Sequence, residues 1–213
     1  MRTGILQHLR TTIAGGTAAG VWLMSSVQQP TWAASPPAQK PNITDSEPTA
    51  IVQVENVATI PTDLLQVAEN RAGEVFQKIG ACVTWVDTTR AARRRIGTMF
   101  TLVLVNIEQS RSPYQRRQDV LGFAAPSVSR AWVFWDRIEA AKARAPATAI
   151  VLGDVMAHEL GHLILASPGH SFRGIMRGEI PLRMRATETF TKRERLAILN
   201  RLQQEQAAYY RAE

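Results

Sequence analysis

The chain has 213 residues, of which 45% are hydrophobic, and its 25 Lys and Arg outnumber its 18 Asp and Glu to give a net charge of +7. This length suits one globular domain better than two, and the hydrophobic content is enough for a sizeable core. The single cysteine, Cys82, excludes an internal disulfide. The basic residues are scattered among acids and apolar residues, with Arg93-Arg94-Arg95 as the tightest run, so we expect no nucleic-acid partner.

Residues 1–33 have the layout of a secretory signal peptide. The basic segment MRTGILQHLR precedes an apolar, Ala- and Gly-rich stretch, and Thr31 and Ala33 are placed for cleavage after Ala33. We expect export to the periplasm or the exterior without stable membrane insertion, because the apolar stretch is short and weakly apolar for a membrane span. An uncleaved anchor is the alternative. Residues 34–48 are rich in Pro and polar residues and indicate a flexible linker, which leaves 49–213 as the folded domain.

The hydrophobic pattern of residues 49–213 predicts an α/β (α+β) domain with one sheet against two long helices. Strands are expected at 50–59, 82–87, 99–107, 120–126 and 130–138. Helices are expected at 61–80, 149–166 and 190–211, the last with Thr191 and Glu194 at the spacing of a capping box. Residues 99–107 are apolar on both faces, which is typical of a central strand, whereas Gly122 and Pro126 suit a strand at a sheet edge.

Three of the four histidines lie in the stretch AHELGHLILASPGH, and the fourth lies in the leader. On a helix, residues four apart are about 40° apart around the axis and about 6 Å apart along it. His158 and His162 therefore project from one face, where two imidazoles can bind one zinc ion in neighbouring tetrahedral positions. Glu159 points to the side, where it can reach a metal-activated water as a general base without binding the ion.

A catalytic zinc needs a third protein ligand and an open fourth position. His170 follows a Ser-Pro-Gly break that lets the chain leave the helix and return to the metal. The downstream carboxylates Glu179 and Glu188 are alternative third ligands. A structural zinc would be expected to use four ligands, usually with cysteine, and Cys82 is the one thiol of the chain. The pattern favours one catalytic Zn²⁺ with His170 as its third ligand.

The segment HELGH, followed by a turn, a third histidine and SFRGIM, resembles the metzincin clan of zinc metalloproteases, and more closely the small bacterial relatives of matrixins. The resemblance implies a mixed, twisted five-stranded sheet packed on an N-terminal helix and an active-site helix, plus a C-terminal helix. It implies zinc ligation by His158, His162 and His170, with Glu159 as the general base. It implies Met176 as the Met-turn methionine beneath the metal. The edge strand for substrate is implied at Gly122, Phe123, Ala124 and Ala125.

The sequence departs from the usual metzincin motif before the third histidine. The family spacing puts that histidine six residues after the second, with a glycine between them. Here the third histidine, His170, lies eight positions after the second, His162, and Leu165 occupies the glycine position. Gly169 is a candidate for the turn. Asp154, one turn before His158 on the same helical face, is either a partner that orients an imidazole or a polar residue facing a cap or a buried water.

These features predict a secreted zinc-dependent endopeptidase that hydrolyses peptide bonds with a zinc-activated water and Glu159 as general base. Its partner is then a peptide or protein substrate, and the pattern carries no information on the oligomeric state. The alternative is an exported basic zinc-binding module without turnover, which binds a surface or cell-wall polymer. The carboxylate of Glu159 argues against this alternative, because a module without turnover does not need it.

Overall fold

A computed structural model describes residues 47–86, 99–110, 117, 119–141, 148–178 and 188–212. The predicted signal peptide, residues 34–46 of the predicted linker, and Glu179 lie outside the described residues. The last two linker residues already meet the domain, since the carbonyl oxygen of Pro48 accepts a hydrogen bond of 2.8 Å from the backbone nitrogen of Cys82.

The order of strands and helices in the described residues is the one that the sequence predicts, with one additional short helix after the last strand. The strands are β1 (Thr49–Asn56), β2 (Cys82–Val86), β3 (Met99–Val105), β4 (Gly122–Ala125) and β5 (Arg130–Phe134). The helices found in the described ranges are α1 (Thr62–Gln77), α2 (Trp135–Ala141), α3 (Thr148–Leu165) and α4 (Lys192–Ala212). The sheet order is β2-β1-β3-β5-β4, parallel except for β4, which runs antiparallel to β5. The predicted α/β fold with a mixed five-stranded sheet is confirmed.

Strand β3 lies in the middle of the sheet and is buried on both faces, as its continuous apolar sequence indicates. Leu102 and Leu104 belong to the main core, which the helices α1 and α3 cover, and both are 0% exposed. Val103 and Val105 point to the opposite face, where they pack with Phe134 in a smaller cluster. Strand β4, in contrast, forms one edge of the sheet, with half-buried residues throughout.

Helices α1 and α3 pack closely on one face of the sheet. A Cβ at Gly153 of α3 would lie 2.5 Å from the carbonyl oxygen of Ala68 in α1, so only glycine allows this approach. Helix α3 is long and apolar enough to cross a membrane by length and composition, but 72% of it is buried inside the domain. This burial explains its hydrophobicity, because the core helix of a globular domain meets the same criterion.

The predicted strand over 130–138 is wrong in its second half. Strand β5 ends at Phe134, whose pairing partner Val105 is the last residue of β3, so the sheet offers no partner beyond this point. The chain turns directly into α2, where Ile138 is buried. The carboxylate of Asp136 accepts a hydrogen bond of 3.1 Å from the backbone nitrogen of Ile107, which fixes the start of this helix against the end of β3.

Helix α4 begins with the predicted capping box. The carboxylate of Glu194 accepts a hydrogen bond of 2.7 Å from the backbone nitrogen of Thr191, and the Thr191 hydroxyl accepts one of 3.4 Å from the backbone nitrogen of Glu194. The guanidinium of Arg195 donates to the carbonyl oxygen of Ile79, just beyond the end of α1, at 3.0 Å. Ile198 and Leu202 are buried in the main core, so the first half of α4 is anchored there.

Candidate metal centre and active site

Three imidazoles converge at the C-terminal half of α3. The Nε2 atoms of His158 and His162 are 3.0 Å apart, and those of His162 and His170 are 3.3 Å apart. The three ligand atoms all lie within 4.8 Å of one another, which is close enough for one metal ion to contact each of them. The helix supplies two rings from one face, and the third comes from the loop that follows.

The orientation of the two helical rings is fixed from behind. The Nδ1 atom of His158 is 2.8 Å from the carbonyl oxygen of Ile175, and that of His162 is 2.7 Å from the carbonyl oxygen of Ser167. A carbonyl accepts only from a protonated Nδ1, so each Nε2 keeps its lone pair directed at the other rings. Metal-ligating histidines in proteins commonly have this arrangement, and the donor set of three imidazoles fits zinc.

Burial also favours the ligand form of these rings. It lowers the pKa of His158 from 6.5 to about 4, and it lowers the pKa of His162 as well. Both imidazoles are therefore neutral near pH 7, and a neutral imidazole is the form that binds a metal. A pair of adjacent imidazolium ions would instead repel both each other and a cation.

His170 reaches the other rings because the chain reverses immediately after α3. Ala166 has a φ of 49°, a left-handed conformation at the position where helices commonly end with glycine. The turn was a candidate role for Gly169, but that residue has no left-handed φ; its backbone nitrogen donates a hydrogen bond of 3.2 Å to the Ser167 hydroxyl. The ring of His170 lies near the backbone of Gly178. A Cβ at Gly178 would be 3.6 Å from the Cγ of His170.

The rival third ligand Glu188 lies elsewhere. Its carboxylate pairs with the guanidinium of Arg177 at 3.2 Å, and among the described residues the group that could hold a metal consists of the three histidines. The other rival, Glu179, is outside the described residues.

Glu159 is a buried carboxylate at the side of the histidine cluster. It is 4% exposed, and its Oε2 atom has no hydrogen-bond partner within the described ranges. Burial raises the pKa of this carboxyl from 4.5 to about 8. A buried polar oxygen without a partner is rare in native proteins and marks a site where a ligand or a reacting group is expected. Its other oxygen faces β4, where a Cβ at Gly122 would lie only 2.7 Å away.

Met176 is 1% exposed and packs against α3. A Cβ at Gly161, between the two helical histidines in sequence, would lie 2.5 Å from the Met176 sulfur, so the methionine packs directly on the helix backbone. The turn before it needs glycine, because Gly174 has a φ of 77° and a Cβ there would lie 2.5 Å from the carbonyl oxygen of Thr189. The turn that carries Met176 is therefore fixed by two close backbone contacts.

Asp154 makes no hydrogen bond to His158, His162 or His170. Its carboxylate accepts a hydrogen bond of 2.7 Å from the guanidinium of Arg71, which is itself buried in α1. This ion pair joins α1 to α3 one turn before the metal site. Of the two roles that the sequence left open for Asp154, orienting an imidazole and facing a cap or a buried water, the structure shows neither, because its partner is an arginine of the neighbouring helix.

Two solved structures are similar to this chain at low sequence identity. One is a zinc-dependent peptidase from Methanocorpusculum labreanum, with 16% identity and a TM-score of 0.48 over 70% of this chain and 99% of that one. The other is archaemetzincin from Methanopyrus kandleri, with 16% identity and a TM-score of 0.46 over 72% of this chain and 95% of that one. No protein-family model and no curated protein matches the sequence.

Proposed function

We propose that the chain is an exported zinc-dependent endopeptidase of metzincin type, similar to the small bacterial relatives of matrixins. One observation carries the proposal. Three convergent imidazoles lie beside the buried carboxylate of Glu159, whose Oε2 atom has no hydrogen-bond partner among the described residues. A structural zinc site does not require a carboxylate that lies beside the ligands without binding the metal. A hydrolytic site needs it, because a positioned carboxylate accepts the proton of the attacking water.

His158, His162 and His170 would hold the zinc ion and leave its fourth position open. When bound, zinc polarises a carbonyl and lowers the pKa of a water molecule. Glu159 accepts the proton of the attacking water and passes it to the leaving amine. It must be ionised to do so, and a nearby cation favours the ionised carboxylate.

The edge strand β4 supports an extended peptide as substrate. Among the strands of the described residues its one neighbour is β5, so the outer backbone groups of Gly122–Ala125 face away from the sheet. An extended peptide can pair with such an edge through main-chain hydrogen bonds, and the contact of Gly122 with Glu159 would place that peptide beside the carboxylate.

Replacing Glu159 with Gln tests the proposal. The amide has the size of the carboxylate but cannot accept a proton, and a general acid–base group contributes about 10²–10⁴ in rate. We expect Glu159→Gln to retain zinc and thermal stability while cleavage of a denatured protein substrate falls at least 100-fold. Glu74→Gln, on an exposed side chain of α1, is the matched control and should cleave normally. Zinc binding without cleavage by the wild type would overturn the proposal and favour the binding module.

Export is proposed from the sequence of residues 1–33 alone. We expect the mature N-terminus near Ala34, because the small residues Thr31 and Ala33 fit a cleavage site. Mass spectrometry of the chain recovered from the periplasm or the medium measures this. A recovered chain that begins at Met1 would contradict cleavage and favour an N-terminal anchor.

A further inference from the structure

We infer that Glu194, in the first turn of α4, is a positioning residue for the third zinc ligand and acts through Ser171. The inference rests on the proposed zinc site and concerns how this chain holds His170 in place. It would make the C-terminal helix part of the metal centre, although none of its side chains contacts the metal-binding atoms.

His170 differs from the other two ligands in how it is held. His158 and His162 are buried on a helix, and each ring has a backbone carbonyl behind it. His170 is exposed on a loop, and within the described ranges its Nδ1 makes no hydrogen bond to a backbone carbonyl. Residues 168–170 are all exposed. The position of this ring therefore depends on the contacts of the loop itself.

Ser171, the next residue, supplies those contacts. Its backbone nitrogen donates to the carbonyl oxygen of Met176 at 2.8 Å, which closes the loop between His170 and the methionine. Its hydroxyl donates to the Oε1 atom of Glu194. A hydrogen bond to a carboxylate is about twice as strong as one between neutral groups. Ser171 thus connects the exposed ligand to a helix that is packed in the core.

Glu194 is itself fixed, so it can serve as an anchor. Its second oxygen, Oε2, accepts from the backbone nitrogen of Thr191 at 2.7 Å. The residues on either side of the cap are tied to α1, since the Thr189 hydroxyl donates to the carbonyl oxygen of Val75 at 3.1 Å and Arg195 donates to that of Ile79. The carboxylate therefore uses one oxygen to begin its helix and the other to hold the loop.

Zinc affinity, measured by competition with a chromogenic chelator, tests the inference. We expect Glu194→Ala and Ser171→Ala each to weaken zinc binding about 10- to 100-fold, the usual effect of losing a residue that orients a ligand. The double variant should bind zinc no more weakly than Glu194→Ala, because both changes remove the same hydrogen bond, between Ser171 and Glu194. Glu194→Gln should stay near wild type, since its amide can bond to both Ser171 and Thr191.

Thr191→Ala is the matched control. It removes the other half of the capping box and should lower the thermal unfolding temperature without changing zinc affinity. Equal zinc affinity in the wild type, Ser171→Ala and Glu194→Ala would overturn the inference and leave the proposed function intact. Absence of zinc binding by the wild type would instead overturn the proposed function. Should Glu194→Ala not fold, Ser171→Ala decides the question, because it leaves the cap in place.

Discussion

The carboxylate of Glu159 lies directly against the backbone of Gly122. A Cβ at Gly122 would fall 2.7 Å from Glu159 Oε1 and 2.7 Å from the carbonyl oxygen of Trp132. The contact joins α3 to the edge strand β4. Only glycine fits at position 122, because any Cβ there would be too close to both oxygens. Gly122 therefore sets the space in which the proposed general base sits.

Gly122→Ala should impair catalysis without removing the metal. The added methyl group forces either the carboxylate or the strand to move, and a displacement of about 1 Å can cost roughly 100-fold in rate. We expect cleavage to fall about 10- to 100-fold while the zinc content stays at one ion per chain. The control is Gly73→Ala in α1, where a Cβ meets nothing within 4 Å. A normal cleavage rate in Gly122→Ala would show that the close contact has no catalytic role.

Zinc content should depend on the three histidines. We expect elemental analysis to find one zinc ion per wild-type chain, little in His158→Ala or His162→Ala, and weakened retention in His170→Ala, because each change removes a metal bond. Glu188→Ala should keep its zinc, since Glu188 pairs with Arg177. Full zinc in His170→Ala together with loss in Glu179→Ala or Glu188→Ala would instead indicate a carboxylate ligand.

Ala166→Gly should stabilise the protein. Ala166 adopts a φ of 49°, and a left-handed conformation costs a residue with a Cβ roughly 1–2 kcal/mol, part of which the greater freedom of glycine in the unfolded chain offsets. We expect the free energy of unfolding to rise by about 1 kcal/mol in urea denaturation. Ala197→Gly, on the exposed face of α4, should lower it by about 0.5–1 kcal/mol. A loss of stability in both variants would contradict the strain at Ala166.

The stability of the metal-free protein should depend on pH through Glu159. Burial raises the pKa of this carboxyl from 4.5 to about 8, so the stability it contributes is present below pH 4.5 and is lost as pH rises through 8. His158 acts in the opposite sense, but only below its ordinary pKa of 6.5. Between pH 6.5 and 8 we therefore expect the chelated wild type to lose stability relative to Glu159→Gln. Urea denaturation measures this, and parallel profiles of the two proteins would contradict it.

Most strands and helices could be predicted, because their apolar residues follow the period of a helix or a strand or, in β3, form a continuous run. The end of β5 and the helix α2 could not, since the apolar run continues through Trp135 while β3, which pairs with β5, stops at Val105. That boundary depends on the length of a neighbouring strand. The same limit applies to Asp154, whose spacing suggested a contact with His158 but whose partner, Arg71, comes from a different helix.

The helical half of the site was visible in the sequence because residues four apart share a face of any helix. His170 was also predicted as the third ligand, but the contacts that hold its loop could not be predicted, for two reasons. The reversal uses Ala166 in a conformation that sequence patterns assign to glycine, and the hydroxyl of Ser171 bonds a helix far along the chain. The capping-box spacing identified Glu194 as a helix start, but nothing in that spacing indicated that its other oxygen holds a loop.

The three imidazoles come from one short stretch of chain, with His162 four residues from His158 and eight from His170. The parallel sheet behind them joins segments distant in sequence, and such pairings form slowly. We expect the two histidines of α3 and the nearby His170 to come together before the β4–β5 hairpin docks on α3 and brings Gly122 to Glu159. A newly made chain would thus bind its ion early and still lack the ability to cut peptides, so the proposed proteolytic activity would begin only once this hairpin has docked.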